Sequence, residues 1–193
     1  MKQTFFISDT HWYHHNVIRY SNRPFKDVEE MNYTMIKNWN DTVAPDDDVY
    51  HLGDFAFAGD DTIKAILSQL SGNKYFIFGN HDKSLVKNQN TWGKDHFVKM
   101  RDMLKIKVQD KDAPGGVRQI VLCHYSLRVW DGSHKGAWNL YGHSHGNLFD
   151  DPKLLSMDVG VDATRLYRPI SYGEVKAHMA KKTWGPVDHH GAD

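Results

Sequence analysis

Aspartate, histidine and asparagine recur along this chain in short polar clusters, each after an apolar run and most of them beside glycine. The clusters are Asp9-x-His11, Gly53-Asp54, Gly79-Asn80-His81-Asp82, His124 and Gly142-His143-x-His145. Carboxylate with imidazole and no thiolate is the donor set of borderline divalent cations: manganese, iron, zinc, cobalt or nickel. Asp9/His11 and His143/His145 stand two apart, which on an extended segment puts both side chains on one face. The candidate ligands Asp9, His11, Asp54, Asn80, His124, His143 and His145 are too many for a single tetrahedral zinc. They suit two ions of higher coordination number that share a bridging carboxylate. Loops favour Asp, Asn and Gly for turn reasons alone, so one such cluster says little. The ordered set says much more.

Residues this far apart converge only if the strands before them end on one side of a sheet, where open α/β sheets bind their ligands. The pattern supplies such strands. Thr4-Phe5-Phe6-Ile7 reads as a short buried strand, Asp48 to Leu52 as a second and Tyr75 to Phe78 as a third. Between them, Asp27 and Glu30 form a capping box for a helix over residues 28–40, with Val28, Met31, Met35, Ile36 and Trp39 on one stripe. Ile63, Ile66, Leu67 and Leu70 mark another helix, which Gly72 stops. Residues 83–100 are polar and loosely patterned. Met103 to Val108 and Gln119 to Cys123 alternate like strands around a Pro114-Gly115-Gly116 turn. Asn139 to Tyr141 and Met157 to Val161 are later strands, and Ser171-x-x-Glu174 opens a last helix to about Ala180. A tail from about Lys181 is expected to fray. The alternation predicts parallel pairing in the first half and antiparallel additions in the second, an α/β fold (an α+β sandwich) in one domain over residues 1–193.

Composition narrows the function classes. Hydrophobic residues make up 40% and charged residues 25% of the 193, as in an ordinary globule. Lys plus Arg and Asp plus Glu number 24 each, so the net charge is zero. A dedicated nucleic-acid binder carries a basic excess, and nucleic acid is not favoured as a partner. The single cysteine, Cys123, excludes an internal disulfide and fits a reducing cytoplasm. No segment reaches the roughly 20 apolar residues of a membrane helix, and the apolar run at Phe5-Phe6-Ile7 is too short for a signal peptide. A cytoplasmic location is expected.

Taken in order, Asp-x-His, Gly-Asp, Gly-Asn-His-Asp, His and Gly-His-x-His resemble the calcineurin-like metallophosphoesterase superfamily, in the form of its small single-domain microbial members. Asp158-Val-Gly-Val-Asp162 and Arg168-Pro-Ile-Ser171 are similar to the ending of those members. The resemblance implies two packed mixed sheets flanked by helices. It implies that Asp9, His11 and His145 hold a first metal and Asn80, His124 and His143 a second, with Asp54 bridging. Two divalent ions, manganese first among them, would then activate a water for attack on a phosphate ester. His81 would face the scissile phosphate and assist the leaving group, with Asp82 orienting its ring.

The sequence departs from the protein-phosphatase branch. After Asp54 comes Phe55-Ala56-Phe57-Ala58-Gly59, where that branch has a further Asp-Arg-Gly. A phosphodiesterase on small, nucleotide-type substrates fits better. The alternatives are a non-catalytic metal-binding scaffold of the same fold and a nuclease. Three residues are candidate substrate contacts: His14, Arg128 and Trp130, the last two in the loop from Ser126 to Trp138 between ligand-bearing strands. Arg128 would grip phosphate and Trp130 or Trp138 would stack on a base. His51 reads as a hydrogen-bonded structural histidine.

Overall fold

The structure, a computed structural model, describes residues 2–185. The tail expected to fray falls largely on residues 186–193, outside the described residues. The first half contains β1 (Thr4–Ile7), α1 (His15–Tyr20), α2 (Val28–Thr42), β2 (Asp48–His51), α3 (Asp60–Leu67), β3 (Asn73–Ile77), α4 (Lys83–Asn88), α5 (Gly93–His96) and β4 (Lys99–Arg101). The second contains β5 (Met103–Gln109), β6 (Val117–Cys123), β7 (Trp138–Tyr141), β8 (Ser156–Asp158), α6 (Val161–Thr164), β9 (Ile170–Ser171) and α7 (Tyr172–Met179).

Two mixed sheets result, with helices beside them. The first has the order β4-β3-β2-β1-β9, all parallel except β9. The second has the order β5-β6-β7-β8, with only the β5/β6 pair antiparallel. Phe6, Tyr50, Leu52 and Ile77 of the first sheet pack with Ile120, Leu122 and Leu140 of the second. Phe5, Ile7, Val49 and Phe76 belong to a separate core with Met31, Met35 and Trp39 of α2 and Ile66 and Leu67 of α3. The central strands are thus covered on both faces, which is why β1 reads as an unbroken apolar run. On β5, Leu104, Ile106 and Val108 lean on the core while Lys105 and Lys107 face out, and the charges blunt an exposed edge.

Registers set the ends of the strands level. Ile7 pairs with His51, and His51 with Phe76, so the loops carrying Asp9, Asp54 and Asn80 leave the sheet side by side. Of the two expected capping boxes, Ser171 and Glu174 cap each other reciprocally, while Asp27 accepts from the Glu30 backbone N–H but the Glu30 carboxylate accepts from Lys26 N–H instead of closing the box. Elsewhere the structure departs from the pattern reading. The second half is mainly parallel, because β6 to β7 and β7 to β8 are crossovers without an α-helix, which leave no helical period to read. The segment 83–100 folds into α4, α5 and β4, each too short to show a period. The strand expected to run to Val161 stops at Asp158, and Val161 begins α6.

Leu140 is fully buried in the core shared by the two sheets. Leu140→Ala is expected to cost about 2–5 kcal/mol in urea unfolding, whereas Met103→Ala, at a half-exposed site, shifts stability by no more than about 0.5 kcal/mol.

Candidate metal centre

All seven candidate ligands meet at this shared strand edge. Their donor atoms form two groups, Asp9 with His11 and His145, and Asp54 with His124 and His143, each group spanning no more than 4.8 Å. Asp54 lies between them: its Oδ2 is 3.7 Å from His11 Nε2 and 3.6 Å from His124 Nε2. Asn80 joins the second group, with Oδ1 3.1 Å from His124 Nε2.

The protonation pattern leaves this cluster short of positive charge. His124 Nδ1 is 2.7 Å from the Leu52 carbonyl and must carry the proton that it donates there. Its Nε2 lone pair therefore faces the oxygens of Asn80 and Asp54. His11 is buried, and among the described residues neither of its ring nitrogens has a hydrogen-bond partner. Burial pushes the imidazoles of His11 and His124 below their ordinary value, so both present lone pairs. Burial also pushes Asp9 up to about 8. Electron pairs crowded together in a dry interior are costly, and divalent cations between them would satisfy them. The donor set fits the implied metals.

The loops are strained to achieve this. Asp9, His11, Asp54, His143 and His145 all have left-handed backbone, with φ of 56°, 50°, 56°, 66° and 48°. Such positions persist only where surrounding contacts over-determine them. The expected extended geometry is therefore corrected. Asp9 and His11 still join one group, but His143 and His145 turn to different groups. Glycine beside the ligands does what the sequence suggests: a Cβ on Gly142 would collide with the Ser8 hydroxyl and the Asp9 carboxylate.

Two residues that sequence reasoning left without a role hold the first group. The Arg23 side chain is fully buried. It donates from Nε and Nη2 to both oxygens of Asp162, at 2.9 and 2.8 Å, and to the carbonyls of Asp9 and Thr10, at 2.7 and 2.8 Å. Asp162 Oδ2 also accepts from His145 Nδ1 at 2.7 Å, which leaves Nε2 of that ring for the site. Burial disfavours the His145 imidazolium, yet Asp162 and Asp9 together hold its pKa raised. Asp162 closes the Asp158-Val-Gly-Val-Asp162 run, so its motif was visible while its partner was not. Asp158 accepts from the backbone N–H groups of Gly146 and Gly160 and ties down the loop behind His145.

Other sequence assignments are corrected. Asp82 does not orient His81. Its carboxylate accepts from the backbone N–H groups of Asp54, Gly79 and Phe55, at 2.7, 2.7 and 2.9 Å, and so clamps two ligand loops together. Trp130 is buried in the inter-sheet core, with Nε1 donating to the Ala137 carbonyl, and Trp138 is buried under Arg118 and Tyr172. Neither can stack on a base. Arg128 is exposed and lies outside the cleft described next. His51 is structural as expected: it accepts from Gly53 N–H through Nδ1, and Nε2 donates to Thr10 Oγ1.

A cleft of about 510 Å³ opens beside the first group, lined by His11, His145, His81, His14, Phe57 and Tyr20 among others. His81 is exposed, its ring 4.8 Å from that of Phe57, while its backbone N–H donates to Asp54 Oδ1 at 2.9 Å. His14 borders the same cleft and stacks on Phe57 at 4.0 Å.

An uncharacterized protein of Methanocaldococcus jannaschii is 36% identical over 179 residues, covering 89% of this chain and 88% of the relative. The Gene 66 protein of Mycobacterium phage L5 is 30% identical over 190 residues, covering 84% of this chain and 88% of its own. A crystal structure of an Aquifex aeolicus protein of unknown function shares the fold, with a TM-score of 0.68 at 24% identity over 92% of this chain and all of that one. No family model matches the chain. The chain belongs to the family of the archaeal and phage relatives.

Two outcomes follow for the isolated protein. The metal-free fold keeps the Asp9 proton up to about pH 8, whereas the unfolded chain releases it near pH 4. The fold therefore binds more protons within that window and loses stability as pH rises through it. Chemical denaturation of the metal-free wild type is expected to show this decline, and Asp9→Asn to remove it. Mn2+ at about a hundredfold excess over its dissociation constant should add roughly 2.7 kcal/mol, and Gly142→Ala should abolish that gain.

Proposed function

We propose that this chain is a dinuclear-metal phosphoesterase of the calcineurin-like type, acting on phosphodiesters of nucleotide type. The observation that carries the reading is the position of Asp54, one carboxylate oxygen nearly equidistant from a histidine of each ligand group. Asp9, His11 and His145 would hold one divalent ion, Asn80, His124 and His143 the other, and Asp54 both; manganese is the proposed ion, within the range that oxygen and imidazole donors accept. Two cations so held supply Lewis acidity and an activated water for in-line displacement at phosphorus.

The chain's own groups account for the rest. Strained, hydrogen-bonded loops hold the ligands in place before any ion arrives, so little reorganisation is needed at the moment of reaction. His81 is anchored through its backbone to Asp54 while its exposed ring borders the cleft beside Phe57, where it can give a proton to the departing oxygen. In the stretch after Asp54, where protein phosphatases carry Asp-Arg-Gly, Phe55 enters the core and Phe57 lines the cleft. That favours small substrates over phosphoproteins. The balanced charge argues against a nuclease. The lone cysteine fits a reducing compartment, and a cytoplasmic location is part of the proposal; among the described residues no helix is long and apolar enough to cross a membrane.

Chelation is expected to abolish hydrolysis of an aryl phosphodiester, and Mn2+ to restore it. His81→Ala should retain both ions by elemental analysis yet lose about 10²–10⁴ in turnover; Asp54→Asn should lose the ions themselves. Equal rates from stripped and loaded protein would overturn the reading.

A further inference from the structure

The cleft beside the first ligand group has one wall that the chemistry at phosphorus does not use. Tyr20, the last residue of α1, lines it and is 67% exposed, although burying such a ring is worth roughly 2 kcal/mol or more. The Arg19 guanidinium lies over the Tyr20 ring at 5.3 Å, and His14 meets it edge-on at 6.3 Å. The ring therefore keeps an uncovered flat face. In the same cleft, Phe57 is also partly exposed at 41% and packs against His14 and His81. Asn147, an exposed amide, lines the same cleft. A volume of about 510 Å³ falls within the roughly 300–1,000 Å³ of small-molecule sites.

We infer that Tyr20, with Phe57 and Asn147 lining the same cleft, forms a subsite for a nucleobase attached to the phosphate that the ligand groups receive. The inference rests on the proposed metal-dependent function and adds the recognition element. One end of the cleft is built from cation ligands, which attract a phosphate; the other offers flat aromatic surface with a single amide that can both donate and accept. A nucleoside phosphate has this polarity, with an anionic end, a planar ring and hydrogen-bonding edges on that ring. A sugar phosphate or an alkyl diester lacks the ring and would leave Tyr20 in water. Neither tryptophan of the 126–138 loop can serve, because both are committed to packing.

The test uses Mn2+-loaded full-length protein and calorimetric binding of two probes, adenosine 5′-monophosphate and ribose 5-phosphate, which differ by the base alone. The wild type should bind the nucleotide about tenfold or more tightly than the sugar phosphate, as base–aromatic stacking implies. Tyr20→Ala should bring that ratio close to unity, and Tyr20→Phe should preserve it. Tyr33→Ala, at an exposed position on α2, should leave the ratio at its wild-type value. Equal affinity for the two probes in the wild type, no binding of either, or a ratio that survives Tyr20→Ala would overturn the subsite. Because the readout is binding, a protein that discriminates the probes but hydrolyses no phosphodiester would sink the enzymatic reading and leave the subsite standing.

Discussion

A buried excess of electron pairs governs this structure. Asp9, Asp54, Asn80, His11 and His124 aim ligand atoms into one small volume, and the backbone N–H groups of His143 and His81 that reach Asp9 and Asp54 are too few to match them. In a low-dielectric interior such an arrangement is unfavourable by itself. The rest of the fold can be understood as what is required to keep it assembled. Level strand ends bring the loops to one edge, left-handed backbone turns the side chains inward, and glycines let the loops approach within contact of the carboxylates they flank.

Neighbouring groups then lock each loop. Asp82 collects three backbone N–H groups from the loops that follow β2 and β3 and holds Asp54 in place. Burial raises the pKa of Asp82 to about 6, although those three bonds favour its charged form. Arg23 does the equivalent for the loop after β1, and through Asp162 it reaches the ring of His145. Neither group touches the space between the ligands. Removing either would leave a buried charge or several buried backbone groups unpaired, which costs far more than an ordinary surface contact.

Much of this could be read from the sequence because its causes are local. A strand followed by a polar residue and a glycine is a short-range pattern, and the grouping of the candidate ligands, the main strands and both helix N-caps rest on such patterns. What escaped has long-range causes. Arg23 and Asp162 are 139 residues apart, and nothing near either one signals the other. Asp82 sits next to His81 in a recognised motif, yet its partners are backbone groups that only the fold supplies. Trp130 was assigned to the substrate by its place in a bordering loop, whereas core packing claimed it. Tyr20 lies on a helix of six residues, too short for its period to be seen.

The tie between Arg23 and Asp162 also bears on the order in which the molecule can be made. β1 and Arg23 are synthesised well before the strand that covers the free edge of β1, β9, and before the carboxylate that pairs the buried guanidinium, Asp162. Until then the nascent chain carries an unsatisfied cation and an open sheet edge, both of which invite association with other chains. Bracing of the pocket is therefore a late event in biogenesis, and a ribosome stalled before the Asp162 codon would carry a chain able to form most of its helices but with Arg23 and His145 still lacking their shared carboxylate.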